Sequence, residues 1–125
     1  MTNRNLLPVQ TRIRVRADTQ VVDASGDSGG TINLQLDQVS RVTIGAAALE
    51  GGCPAFVAAK IDGTPTIQNW DVLLVLRNVS HQPVLATIGL DAGAHTVNWA
   101  SFDEYGDSMS FLEGNLGLIF VAVDV

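Results

Sequence analysis

The chain has little of what most enzymatic chemistry requires. Of its 125 residues one is cysteine, two are histidine, seven are lysine or arginine, and 6% are aromatic. Cys53 has no second cysteine to bond, and one thiol cannot build a cysteine-rich zinc site, so folding in a reducing cytoplasm is expected. Thirteen acidic residues against seven basic ones give a net charge of -6. Nucleic-acid binding draws on counterion release by clustered Lys and Arg, which an acidic chain lacks, so nucleic acid is not an expected partner. No apolar run approaches the ~20 residues of a membrane-spanning helix, so no membrane partner is expected either. The opening "MTNRNLLPVQTRIR" has no continuous apolar stretch and no small-residue cleavage site, which argues against a signal peptide.

What the chain does contain is strands. "TRIRVR" and "TINLQL" alternate strictly, while "RVTI", "PAFVAAKI", "DVLLVLRNV", "PVLATI", "AHTVNW", "SMSFLE" and "LGLIFVAVDV" are short apolar or β-branched runs. "SGDSGG", "DGTP", "NVSHQP", "LDAG" and "EGNLG" punctuate them at intervals of roughly a dozen residues, the spacing of a sandwich or barrel. Only "AAALEG" suits a helical turn. The pattern predicts an all-β fold, an antiparallel β-sandwich of jelly-roll type, with an extended N-terminal arm over residues 1–18 and a single domain over 19–125. "VLLVLRNV" and "LGLIFVAV" read as buried on both faces and therefore central.

Charge is distributed unevenly. Residues 1–61 carry six basic and five acidic side chains, and residues 62–125 carry one basic and eight acidic. Arg12, Arg14 and Arg16 share one face of an alternating strand, with Ile13 and Val15 on the other. Behind a leader that includes Arg4, this basic strand either keeps a sheet edge from aggregating or docks on a partner's carboxylates. Arg4, Arg12, Arg14 and Arg16 are the candidate partner-binding residues.

Gly26-Asp27-Ser28-Gly29-Gly30 spells the loop that surrounds the nucleophile in trypsin-like proteases. Those enzymes need two barrels, each about as large as this chain, and a histidine ahead of the serine. Here His81 and His95 follow Ser28, and no helix follows it to form a nucleophile elbow. A wide turn accounts for all five residues. His81 and His95, 14 positions apart, lack the close pairing of a metal site. Asp23, Ser25 and Asp27 alternate like calcium ligands, but the twelfth loop position is Leu34 instead of a bidentate Glu. Asn78-Val79-Ser80 is a glycosylation sequon read as a hairpin end. No catalytic residue, metal or cofactor is therefore predicted. Trp70, Trp99 and Tyr105 could form a sugar-stacking platform, with "WASFDEYGD" supplying carboxylates; alternatively Trp99 and Phe102 pack under a loop.

"VVDASGDSGGTINLQL", "LLVLRNVS", "HTVNW" and "SMSFLEGNLGLIFVAV" together resemble the strand order of β-modules in tailed-phage virion proteins, above all capsid decoration or cement proteins. The likeness rests on Val21 to Ser25, Thr31 to Leu34, Leu74 to Ser80 and Ser108 to Val123. The chain departs from it at "GAAALEGGCPAFVAAKIDGTPTIQNW". The resemblance implies a non-enzymatic virion structural protein, made in the host cytoplasm, that binds the major capsid protein of an assembled capsid and stabilises it. It further implies a symmetric homo-oligomer, a trimer in preference to a dimer. The alternative functions are a carbohydrate-binding β-sandwich module and a phage fibre or receptor-binding component.

Overall fold

Alternation decides which side of each strand meets the core. In "GGTINLQL" Ile32, Leu34 and Leu36 are buried while Thr31, Asn33 and Gln35 are exposed, as a strand with one wet face requires. A computed structural model describes residues 18–48, 53–77, 83–112 and 117–124. These form β1 (Asp18–Asp23), β2 (Gly29–Leu36), β3 (Ser40–Ala48), β4 (Phe56–Ile61), β5 (Val72–Val75), β6 (Val84–Leu90), β7 (Gly93–Phe102) and β8 (Gly117–Asp124). Among the described residues there is no helix.

The strands form two four-stranded sheets in the orders β1-β8-β3-β6 and β2-β7-β4-β5, with every pairing antiparallel. Consecutive strands switch sheets at each connection except β4 to β5. Eight strands wound this way make a jelly roll, as the strand spacing predicts. The inward rows meet in one core: Val42, Ile44, Ile119 and Val121 from the first sheet, and Ile32, Leu34, Val57, Leu74, Val97 and Trp99 from the second.

Three local expectations need correction. β8 is central, but β5 is the edge strand of its sheet; "VLLVL" turns Val72, Leu74 and Leu76 inward and leaves Val75 exposed. The run looks doubly buried because Leu73, opposite Ala58, is partly covered on the outer side. "SMSFLE" is not a strand. Ser108 and Phe111 each make an isolated bridge, to Phe102 and Ser25 respectively, and Phe111 is buried as a plug against Trp99. Ala46, Ala47 and Ala48 of "AAALEG" end β3 instead of turning helically, since eight consecutive β3 residues pair with β8. β1 begins at Asp18; Arg4, Arg12, Arg14, Arg16 and His81 lie outside the described residues.

The two outer faces differ in chemistry. On the first sheet, Val21, Phe120, Gly45 and Leu85 fall in one row across all four strands. Val21 is 60% and Leu85 56% exposed. On the second sheet the outward residues of β2 and β7 are mostly hydroxyls and amides, and there a groove forms.

A candidate binding groove on the second sheet

The groove begins with the β4–β5 connection, residues 62–71. Asp62 takes a left-handed backbone conformation, with φ 56°, and its Oδ1 accepts the Thr96 amide at 2.8 Å. The chain then doubles back over the outer face. Pro65 is buried, and so is Ala58, although Ala58 points away from the core. The connection stops short of the edge strand β2. A cavity of about 500 Å³ remains between them, floored by Thr31, Thr96, Asn98 and Ala100 and walled by Asp62, Gly63, Thr64 and Pro65. That volume lies within the range of small-ligand sites.

One hydrogen-bond chain orients the floor. Asn98 Nδ2 donates to the Gly63 carbonyl at 2.6 Å and to Thr96 Oγ1 at 3.0 Å. A backbone carbonyl cannot donate, so the amide nitrogen of Asn98 must face Gly63 and its Oδ1 must face β2. There Thr31 Oγ1 donates to it at 2.7 Å. The Thr31 hydroxyl hydrogen and both Asn98 amide hydrogens are thereby engaged. The Thr96 hydroxyl, which accepts from Asn98, keeps its own hydrogen, so the floor offers an incoming ligand several oxygen lone pairs and one hydroxyl donor.

Asp62 is the one ionisable side chain among the groove's lining residues. Lys60, which lies opposite Asn98 on β4, is held by Asp71 at 3.5 Å, and Asp71 Oδ2 also accepts the Ile61 amide. Asp62 has its carboxyl held below the ordinary carboxylate range, first by the Thr96 amide and then by His95. The lining carries no cation to neutralise a phosphate or a carboxylate.

A second cavity, about 330 Å³, adjoins the first and shares Asp62 and Thr96; Leu34, Gln35 and His95 help to line it. His95 Nδ1 lies 2.8 Å from Asp62 Oδ2, and its Nε2 lies 2.8 Å from the Asp91 carbonyl. His95 has its pKa raised above the ordinary 6.5, chiefly by the hydrogen bond with Asp62 and next by that with Asp91.

The motifs singled out in the sequence are placed elsewhere. Ser28 occupies the β1–β2 turn, where Gly26 has φ 82°, Asp27 donates its amide to the Ala24 carbonyl, and the Ser28 carbonyl accepts the Ser101 amide. Ser101 is six residues from His95 along β7, about 20 Å at ~3.4 Å per residue, too far for a catalytic pair. Asp23 turns its Oδ1 to the Ser25 amide at 2.9 Å. No three His, Cys, Asp or Glu side chains converge on one point among the described residues.

Of the two readings of the aromatic residues, a stacking platform that includes Trp99 does not assemble. Trp99 is 3% exposed and packs edge-on against Phe111, with ring centroids 6.1 Å apart at 73°. Its indole turns coreward with Val97 and Ser101, so it offers no face to a sugar. Trp70, within the connection that walls the groove, is 42% exposed, and Tyr105 is 82% exposed. Two of the three carboxylates of "WASFDEYGD" have other partners. Asp103 Oδ1 accepts the Tyr105 and Asp107 amides, and Glu104 pairs with Arg77 at 2.9 Å.

No family model and no curated protein matches this chain. Among solved structures, it is similar to the pre-peptidase C-terminal domain of a collagenase from Bacillus anthracis, at 13% identity and a TM-score of 0.49, over 86% of this chain and 88% of that one. It is also similar to a family 35 carbohydrate-binding module from an environmental isolate, at 16% identity and a TM-score of 0.46, over 89% of this chain and 77% of that one. The likeness concerns the fold and goes no further.

Thr31, Asp62 and Asn98 carried no signal in the sequence. Thr31 and Asn98 are 67 residues apart, and Asp62 sits inside "DGTP", which reads as an ordinary turn. A long polar face on two paired strands was the available clue, and nothing in one strand shows which other strand lies beside it.

Proposed function

We propose that this protein is a non-enzymatic binding module whose groove on the second sheet takes a neutral carbohydrate. The observation that carries this reading is the Thr31–Asn98–Gly63 hydrogen-bond chain, an oriented and uncharged floor in a cavity of about 500 Å³. Sugar hydroxyls donate hydrogen bonds, and this floor presents acceptors. The single carboxylate of Asp62 disfavours anionic ligands. Trp70, exposed on the same connection, is not among the residues that line the groove, so recognition falls to the polar floor. The separation of Ser28 from His95 supports a binding role over hydrolysis.

A glycan array with the full chain tests this. Saturable binding to neutral glycans is expected, lost in Asn98→Ala and retained in Trp70→Ala, with circular dichroism showing that both variants stay folded. Absence of neutral-glycan binding, or binding unaffected by Asn98→Ala, would overturn it.

A second reading, the virion decoration protein, draws on the opposite sheet. The apolar row of Val21, Phe120 and Leu85 leaves a surface suited to another protein. The reading adds Arg4, Arg12, Arg14 and Arg16 as an arm that meets carboxylates of the major capsid protein or of a neighbouring copy in a trimer. Light scattering and co-sedimentation with capsids at two salt concentrations test it. Full retention of binding after deletion of residues 1–16 would refute the arm.

A further inference from the structure

His95 stands where two connections meet, and both of its ring nitrogens face oxygens. Nδ1 is 2.8 Å from Asp62 Oδ2 at the end of β4, and Nε2 is 2.8 Å from the Asp91 carbonyl in the β6–β7 turn. A backbone carbonyl has no hydrogen to give, and neither has a carboxylate. A neutral imidazole has one N–H, so one of these contacts would then set a nitrogen lone pair against an oxygen at hydrogen-bond distance. The doubly protonated ring donates to both.

The tie on the Asp62 side holds a constrained residue. Asp62 has φ 56°, a conformation that non-glycine residues seldom adopt, and it opens the connection whose Gly63, Thr64 and Pro65 wall the groove. Its other oxygen is held by the Thr96 amide. The side chain is thus fixed from two sides, and through it the wall is fixed.

We propose that His95 is a proton-operated clamp, which in its doubly protonated form ties the β4–β5 connection to the β6–β7 turn and holds the wall of the groove in place. When one ring proton leaves, the remaining N–H stays with the charged acceptor, Asp62, because charge-assisted bonds are the stronger. The Asp91 carbonyl is then released, the bond that remains to Asp62 weakens because its donor is no longer charged, and the wall loses both the brace of the β6–β7 turn and part of its hold on Asp62.

The groups around the ring are consistent with this. Asp62 faces it from the start of the β4–β5 connection and Asp91 from the β6–β7 turn, and both carboxylates favour the charged ring. On β2 the residue opposite is Leu34, flanked by Asn33 and Gln35, none of them charged. Partial burial alone opposes the proton. The consequence for ligand binding rests on the carbohydrate reading of the groove, whereas the clamp itself needs no ligand.

The test is an NMR titration of the full chain from about pH 5 to about pH 9, following both His95 ring nitrogens and the amides of Asp62, Gly63, Thr64, Asp91 and Ala92. The doubly protonated ring should be the majority form at pH 6.5, the ordinary midpoint, with the observed midpoint higher and the five amides shifting along the same curve. His95→Gln should abolish those amide shifts, and Asp62→Asn should lower the ring midpoint. A single neutral tautomer at pH 6.5, or amides indifferent to the ring, would overturn the clamp. A blank glycan array would overturn the groove's ligand and leave this result standing. If a glycan binds, its affinity should fall at least severalfold above the ring midpoint, and a flat affinity across the titration would overturn the regulatory role.

Discussion

The ring of Phe120 occupies the space that a side chain on Gly45 would need. The two residues are paired across β3 and β8, and a Cβ built on Gly45 would collide with the ring edge and lie 2.6 Å from Leu85 Cδ2. Phe120 and Leu85 therefore close over a glycine, and Gly45 is buried on what is nominally an outer face.

Gly45→Ala is expected to destabilise the fold by about 1–3 kcal/mol, the usual cost of overpacking. Because the obstructing atoms belong to side chains, Phe120→Leu should recover part of that loss. Urea denaturation of the two single variants and the double variant measures the coupling; additive effects would show that the ring does not set the need for glycine.

Asn98→Ala removes the donor to the Gly63 carbonyl and the acceptor for Thr31 together. A stability loss of about 1–2 kcal/mol is expected from these two bonds, of which the one to Gly63 is partly buried. Thr31→Ala, which removes only an exposed hydroxyl, should cost less. Thermal melts check the order, and a larger loss for Thr31→Ala would mean that Asn98 is not the hub of the floor.

Trp99 Nε1 is buried with no hydrogen-bond partner, and a Cβ on Gly30 would sit 2.8 Å from it. An unpartnered buried donor costs about 1–3 kcal/mol, so Trp99→Phe should be much milder than Trp99→Ala, which is expected to cost about 3–5 kcal/mol. Gly30→Ala should be harmful in the wild type and nearly neutral beside Trp99→Phe. Equilibrium unfolding of this double-mutant cycle reports the interaction, and a coupling near zero would exclude a clash between Gly30 and the indole.

Stability should plateau at mildly acidic pH. The pKa of His95 is raised in the folded state, so its contribution is complete below 6.5, the unfolded value, and is lost as pH rises through the folded value. The carboxyl groups of Asp62 and Asp23 are lowered below 3.8 by backbone amides and, for Asp62, by His95. Their contribution is present above 3.8 and is lost as pH falls through the folded values. Asp62 and His95 share one hydrogen bond, so their shifts describe a single interaction. Urea midpoints measured across this range should decline on both sides. In His95→Gln the alkaline decline should be reduced.

Strand alternation in "TINLQL" and short apolar runs such as "LGLIFVAV" were enough to determine the all-β class, and turn residues every dozen positions were enough for a sandwich, because side-chain periodicity and backbone punctuation are local. The same local reading dismissed Ser28 as a nucleophile, since a missing upstream histidine and a missing helix are visible in one dimension. Burial misled it at β5: an apolar run looks the same in a central strand and in an edge strand that a loop partly covers. It also left Trp99 open, and only packing against Phe111 settled that this ring faces the core. The groove was decided entirely by tertiary structure. Thr31 meets Asn98, and Asp62 meets His95, because β2 and β4 flank β7 on opposite sides, and hydrogen-bond geometry between strands 33 to 67 residues apart leaves no periodic trace in any one of them.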